Sequence, residues 1–284
     1  MNTRSRQPRT DLSRSPDTHT GSTGLVVSPD ALPVAAGFRT GSRGTHSSRT
    51  MKLAELAVLF GTVTSNGTRN DYVAAILNDN VLAKKASTGR RKAVQHLGEL
   101  YALDPAVPLF RLFRHFWDLD KDGRPLCALL CACARDPQLR MTAPAILSVP
   151  EGVAVGSSDI DKAIGVVADS RFNASTQNKI ARNACSSWTQ SGHLRGRYNK
   201  LRTHPKLTPA NTAFALALGY LAGVRGNMLF HTFWTGLLDA PEDRLKDMAI
   251  EASRRGWLTY RGIGSTVEVR FPADLIPPAE VPVE

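Results

Sequence analysis

From Met51 onward, apolar residues recur mostly at intervals of three and four, the period of an amphipathic helix, in runs punctuated by Gly, Pro and polar caps. The pattern predicts helices over 52–60, 69–78, 88–103, 106–117, 124–135, 138–146, 158–169, 175–191, 209–223, 227–238 and 241–255. Strand character appears in two stretches, His193–Leu207 and Trp257–Phe271. In the second, WLTYR and TVEVRF flank a turn at Gly262-Ile263-Gly264. Each stretch follows a helix that closes in Gly, at Gly192 and at Gly256. Helix, Gly and short hairpin in that order outline a winged helix, whose hairpin lies beside the helix that faces DNA. The expected fold is mainly α, built of helix-turn-helix and winged-helix units with short β-hairpin wings.

Before Met51 the pattern is lost. Residues 1–50 are largely Ser, Thr, Arg, Gly and Pro with few large apolar side chains, a composition expected to leave a disordered basic tail. Met51 opens the amphipathic run MKLAELAVLFG, so the tail reads equally as an extension upstream of a misassigned start. The remainder divides into an N-terminal helical domain, 51–150, containing a helix-turn-helix, and a C-terminal helical domain, 151–284, containing the winged-helix elements. Arg4, Arg6 and Arg9 precede no apolar core, so no secretory signal is expected. The longest apolar runs, Pro125–Ala134 and Thr212–Val224, fall short of the roughly 20 residues of a membrane helix. A cytoplasmic protein with no membrane partner follows.

Charge sharpens this picture. The chain carries 36 Lys and Arg against 25 Asp and Glu, a formal charge of +11. Between Ser170 and Leu238 stand Arg171, Lys179, Arg182, Arg195, Arg197, Lys200, Arg202, Lys206 and Arg225, with no acid among them. A surface that lies against phosphates gains from each cation that releases a condensed counterion and loses from each carboxylate. Within the stretch, Ile180, Ala181, Ala184, Cys185 and Trp188 form an apolar stripe, and Lys179, Arg182, Asn183, Ser186 and Gln190 fall opposite it. That mixture of cations and amides suits phosphates and base edges. Ser175 and Thr176 stand where caps belong, at a helix start that is itself an anion site. Because Thr208–Leu238 is largely apolar, the expected surface narrows to Ser175–Lys206.

A second basic element lies upstream in VLAKKASTGRRKAVQHLGELYALD. Here Ser87 or Thr88 would cap a helix with Val94, Leu97 and Tyr101 inward and Arg91, Lys92 and Gln95 outward, behind Lys84 and Lys85. Glu99 on the outward side weakens the signal. In the C-terminal unit Glu242, Asp243, Asp247 and Glu251 precede Arg254, Arg255, Arg261 and Arg270, so packing or dimerisation is expected there.

Patterns that resemble chemistry fail on their details. Asp118, Asp120, Asp122 and Gly123 begin like a calcium loop, but Leu129 occupies the position of the bidentate Glu. Gly262-Ile-Gly264 sits between two strands and lacks the third Gly of a dinucleotide loop. Cys127, Cys131, Cys133 and Cys185 form no Cys-x-x-Cys pair and read as small buried hydrophobes. His193, His204 and His231 have no Ser, Cys or carboxylate partner nearby in sequence and read as structural. Glu268-Val-Arg270 lacks the Lys and upstream Asp of a nuclease motif, and the basic stretch offers no carboxylates for a divalent metal. No catalytic residue, metal or cofactor is expected.

The order of elements is informative: a basic helix-turn-helix bearing Lys85, Ser87, Thr88 and Arg91, a helical middle, then STQNKIARNACSSWTQSGHL. Together these resemble the BrxA family, small helical components of the BREX bacteriophage-defence systems that bind DNA without a known catalytic site. The resemblance covers most of Met51–Leu275. It implies a non-enzymatic partner of double-stranded DNA beside other defence proteins in a bacterial complex. It assigns contact roles to Ser87, Thr88, Arg91, Ser175, Thr176, Lys179 and Arg182. The Arg-rich extension before Met51 departs from the family pattern. Two other functions remain open: a scaffold whose apolar helices 209–223 and 227–238 dock a protein, and a divergent nuclease.

Overall fold

The computed structural model describes residues 32–167, 171–264 and 266–277. These residues are mainly helical. The helices are α1 Leu53–Thr62, α2 Arg69–Leu77, α3 Ser87–Tyr101, α4 Pro108–Leu119, α5 Arg124–Arg135, α6 Pro137–Arg140, α7 Ala143–Leu147 and α8 Ser157–Val167. There follow α9 Ala174–Gln190, strands β1 Leu194–Arg195 and β2 Leu201–Arg202, α10 Pro209–Leu221, α11 Phe233–Gly236, α12 Glu242–Arg254, and strands β3 Thr259–Ile263 and β4 Thr266–Arg270. Among the described residues no helix is long and apolar enough to cross a membrane.

Most helix starts follow local chemistry. Thr68 caps α2 and Thr208 caps α10, each in a reciprocal pair with the third helical residue, Asp71 or Asn211. Pro108 and Pro209 stand in the first turn, where a missing N–H costs nothing. Two expected helices are broken. The stretch 138–146 divides into α6 and α7, because Pro137 and Pro144 each suit a helix start and not an interior. The stretch 227–238 becomes a 3₁₀ segment, Gly226–His231, followed by α11, with Thr232 extended at the break to cap the new helix.

Helix α10 organises the core. Its sequence PANTAFALALGYL is apolar on all sides, and every residue from Ala210 to Gly219 is buried. Helices α4, α5, α11 and α12 surround it. Phe214 meets Phe113 and Phe116 of α4, and Phe113 stacks on Tyr101 of α3. A helix from the second half is thus packed inside helices of the first. One connected set of buried apolar side chains runs from Leu32 to Ile276, across the expected boundary near residue 150. A scaffold reading that exposes helix 209–223 also loses its surface.

The structure departs most from expectation before Met51. Residues 1–31 lie outside the described residues, but Leu32–Thr50 is not a tail. Phe38 is 1% exposed and packs on Trp234, with ring centroids 5.4 Å apart. His46 and Met51 are completely buried. The segment makes few backbone hydrogen bonds of its own, so side chains from α5 and α6 supply partners. Asp136 accepts the N–H groups of Thr45 (2.7 Å) and His46 (3.1 Å), Gln138 accepts that of Ser47 (2.7 Å), and Arg140 donates to the Arg39 carbonyl (2.9 Å). Composition predicted disorder because the few apolar residues look too sparse, yet Leu32 and Phe38 join the shared core.

Both hairpins form. β3 and β4 pair antiparallel over five residues, from Thr259–Arg270 to Ile263–Thr266. β1 and β2 pair over two, far less than His193–Leu207, and Ala154 bridges Leu201 on the outer side of β2. All four cysteines are buried free thiols, and burial raises the pKa of each.

Candidate nucleic-acid interface

Helix α9 has the two faces its sequence implies. Ile180, Ala181, Ala184, Cys185 and Trp188 are buried, and the Trp188 indole donates to Thr142 Oγ1 at 2.8 Å. Ser175, Lys179 and Arg182 are exposed, and within the described residues neither cation is in an ion pair. The cap differs from expectation. Asn173, not Ser175 or Thr176, takes the extended conformation and accepts the Thr176 N–H at 2.8 Å.

One edge of α9 is covered. Asn183, Ser187 and Gln190 recur at intervals of four and three, and all three hold the segment 46–53. Asn183 Nδ2 donates to the His46 carbonyl (2.8 Å), Ser187 Oγ accepts the Met51 N–H (2.9 Å), and Gln190 Oε1 accepts the Leu53 N–H (3.1 Å). Asn183 and Gln190, expected to read base edges, are half-buried and each spends one amide atom on this segment. Ser186 is half-buried beside the Gln190 amide, 3.4 Å away.

Beneath this clasp, His46 lies 2.8 Å from both Asp136 Oδ2 and Ser187 Oγ. The spacing matches a Ser-His-Asp triad, but all three residues are at most 1% exposed and the serine oxygen already carries the Met51 N–H and faces the Asn183 carbonyl at 3.0 Å. A reacting carbonyl has no approach to it, so the trio acts as a buried latch. Burial opposes ionisation of Asp136, yet the His46 ring and the N–H groups of Leu139 and Thr45 outweigh it and hold the carboxyl below its usual range. Sequence reasoning missed His46 because it placed that residue in a tail. Asp136-Pro137, an N-cap followed by proline, was the one local signal that a carboxylate was pinned there.

The clasped segment brings Arg49 to α9. Ser47, Ser48, Arg49, Lys179, Arg182 and Asn183 line an open hollow of about 360 Å³. A second hollow of about 610 Å³ shares Ser48, Arg49 and Asn183 and continues past Lys52 and Glu55 to Lys84. Glu55 lies 2.7 Å from Lys52 and 3.2 Å from Lys84. Burial raises its pKa, and the two lysines more than compensate, so it stays ionised. Two basic elements far apart in sequence, α9 and the approach to α3, thus border two adjoining hollows with five cations and one carboxylate on their walls.

On α3, Leu97 and Tyr101 are buried, Val94 is half-buried, and Arg91, Lys92 and Gln95 are exposed with Lys85 just ahead of them. Gln95 bonds Glu99 at 3.1 Å. Neither Ser87 nor Thr88 caps this helix. Ser87 is its first residue, Ala86 occupies the cap without a side-chain bond, and both hydroxyl residues are exposed beside a helix start with no side-chain partner.

The β1–β2 hairpin carries fewer free cations than its sequence offers. Arg195 and Arg197 are exposed. Arg202 is 1% exposed; its guanidinium donates to the carbonyls of Ile146 (2.9 Å), His193 (3.3 Å) and Thr203 and pairs with Asp239 at 2.6 Å. It is a structural residue, and the expected DNA contact is withdrawn. Lys200 ties the β1–β2 hairpin to α9 through Thr189 Oγ1 at 2.7 Å. Lys206 is exposed but pairs with Asp122 at 2.6 Å, a carboxylate from outside the acid-free stretch. His193 is buried between Ser191 Oγ (2.8 Å) and the Leu237 carbonyl (2.9 Å), and desolvation pushes its pKa down to about 3. On α12 three of the four acids pair with neighbouring cations: Glu242 with Lys246, Asp247 with Arg244, and Glu251 with Arg254 and Arg255. Among the described residues no three His, Cys, Asp or Glu side chains gather to hold a metal ion. No family model, curated protein or solved structure matches this chain.

Proposed function

We propose that this protein binds double-stranded DNA and has no catalytic activity of its own, with α9 and the β1–β2 wing forming a winged-helix unit. The observation that supports this most is the pair of adjoining hollows whose walls carry Arg49, Lys52, Lys84, Lys179 and Arg182. A duplex carries about one charge per 1.7 Å of axis, and a track of cations at its surface gains by counterion release. Exposed Arg195 and Arg197 extend the surface on the wing, and Lys85, Arg91 and Lys92 extend it on α3. With Asn183 and Gln190 each holding the backbone of the clasped segment, the duplex is bound mainly through phosphates and shape and little through base edges. The neutralised α12 with its β3–β4 hairpin serves as a second winged-helix unit for packing. The resemblance to BrxA implies a non-enzymatic DNA-binding partner of other proteins in a bacterial phage-defence complex.

A gel-shift titration with random duplex DNA tests the reading. Five cations at phosphates, Arg49, Lys179, Arg182, Arg195 and Arg197, give a slope of log K on log salt of about −4.5, hence a roughly 500-fold loss between 50 and 200 mM. Absence of any shift at low salt refutes it. Magnesium-dependent nicking of plasmid by purified protein would favour the nuclease alternative.

A further inference from the structure

The turn at the tip of the wing holds a side chain that the fold does not use. Tyr198 is 84% exposed. The turn closes without it: Gly196 has φ +104°, where a Cβ would come within 2.3 Å of the Asn199 carbonyl oxygen, and Lys200 reaches back to the Gly196 carbonyl at 3.4 Å. Gly and Asn satisfy the needs of a tight turn, and an aromatic residue adds nothing to them.

The base of the wing is rigid. Besides the Arg202 anchor, the chain at 152–155 bonds to it as an outer strand, with Val155 N–H to the Lys200 carbonyl at 2.8 Å and Arg202 N–H to the Val153 carbonyl at 2.9 Å. Tyr198 therefore stands on a fixed support with Arg197 beside it, the guanidinium 5.2 Å from its ring centroid.

Resting on the duplex-binding reading, we propose that Tyr198 stacks on an unpaired nucleobase, so that the preferred ligand is duplex DNA adjoining a single-stranded or opened stretch. An exposed aromatic face between cations is the arrangement that binds bases out of the helix, the cations taking the flanking phosphates and the ring taking the base. Inside an intact duplex both faces of each base are covered by its neighbours, so a ring stacks there only by unstacking a step, a cost that an unpaired base spares. Arg195 and Arg197 supply the phosphate contacts on this wing.

Fluorescence anisotropy compares a blunt duplex with the same duplex bearing a three-nucleotide unpaired overhang, and 2-aminopurine in the overhang reports stacking. The wild-type protein should prefer the overhang DNA by about tenfold. Tyr198→Ala should abolish both the preference and the 2-aminopurine quenching, and Tyr198→Phe should keep both. Equal wild-type affinity for the two DNAs, or a preference that survives Tyr198→Ala, overturns the inference while leaving duplex binding in place. Failure to bind either DNA removes the inference and the duplex-binding reading together.

Discussion

Reversing charge at Lys179 and Arg182 isolates the contribution of α9 to binding. Both side chains are exposed, neither is ion-paired within the described residues, and both line the hollow that contains Arg49. Each phosphate contact contributes about 0.9 log unit of affinity per decade of salt, so at 0.1 M salt a single contact is worth about eightfold relative to 1 M. Losing two contacts costs about sixty-fold at 0.1 M, before the repulsion of two new carboxylates. The slope of log K on log salt should fall by about 1.8. Lys179→Glu with Arg182→Glu should therefore bind random duplex DNA at least tenfold more weakly at 0.1 M salt, with an unchanged circular dichroism spectrum. Anisotropy at four salt concentrations measures affinity and slope together. An affinity within threefold of wild type, or an unaltered slope, would refute the placement of DNA on this face.

Other changes probe the support beneath the face. Arg202→Met leaves Asp239 without its buried partner and should destabilise the fold by about 3 kcal/mol in urea denaturation; a cost below 1 kcal/mol would return Arg202 to the surface contacts. Ser187→Ala removes the acceptor of the Met51 N–H and the partner of His46, which should cost about 2 kcal/mol and speed hydrogen exchange at the Met51 amide selectively. His193 has a folded pKa of about 3 against about 6.5 unfolded, so the unfolded chain binds the extra proton between these values. Its contribution is complete above pH 6.5 and declines as pH falls toward 3. Between pH 7 and pH 5 this amounts to about 2 kcal/mol, and His193→Gln should flatten that part of the stability profile.

Much of this molecule was legible along the chain. Every helix expected from the periodicity from Met51 onward is present in whole or in part, because an amphipathic stripe of three and four spacing can be buried in only one conformation. The stripe of α9, the outward cations of α3 and the two helix-Gly-hairpin junctions followed from local pattern and turn chemistry. Short range also explains the two broken helices, where Pro137, Pro144 and Thr232 outweighed the period.

What the sequence could not determine are the partners of polar groups, since these come from anywhere in the chain. Arg202, Lys200 and Lys206 look alike in a list of basic residues, yet Asp239 pairs with a buried Arg202, Thr189 holds Lys200 against α9, and Asp122 pairs with Lys206 at the surface. Asn183 and Gln190 hold backbone groups of a segment about 137 residues away. That segment looked like a disordered tail because composition counts apolar residues and ignores where they land. Local sequence determined the helices and their inward stripes, through spacing and capping. Tertiary structure alone decided which cations stay free, and it brought Arg49 between two helices to make one basic surface, because burial and charge pairing depend on distance in space.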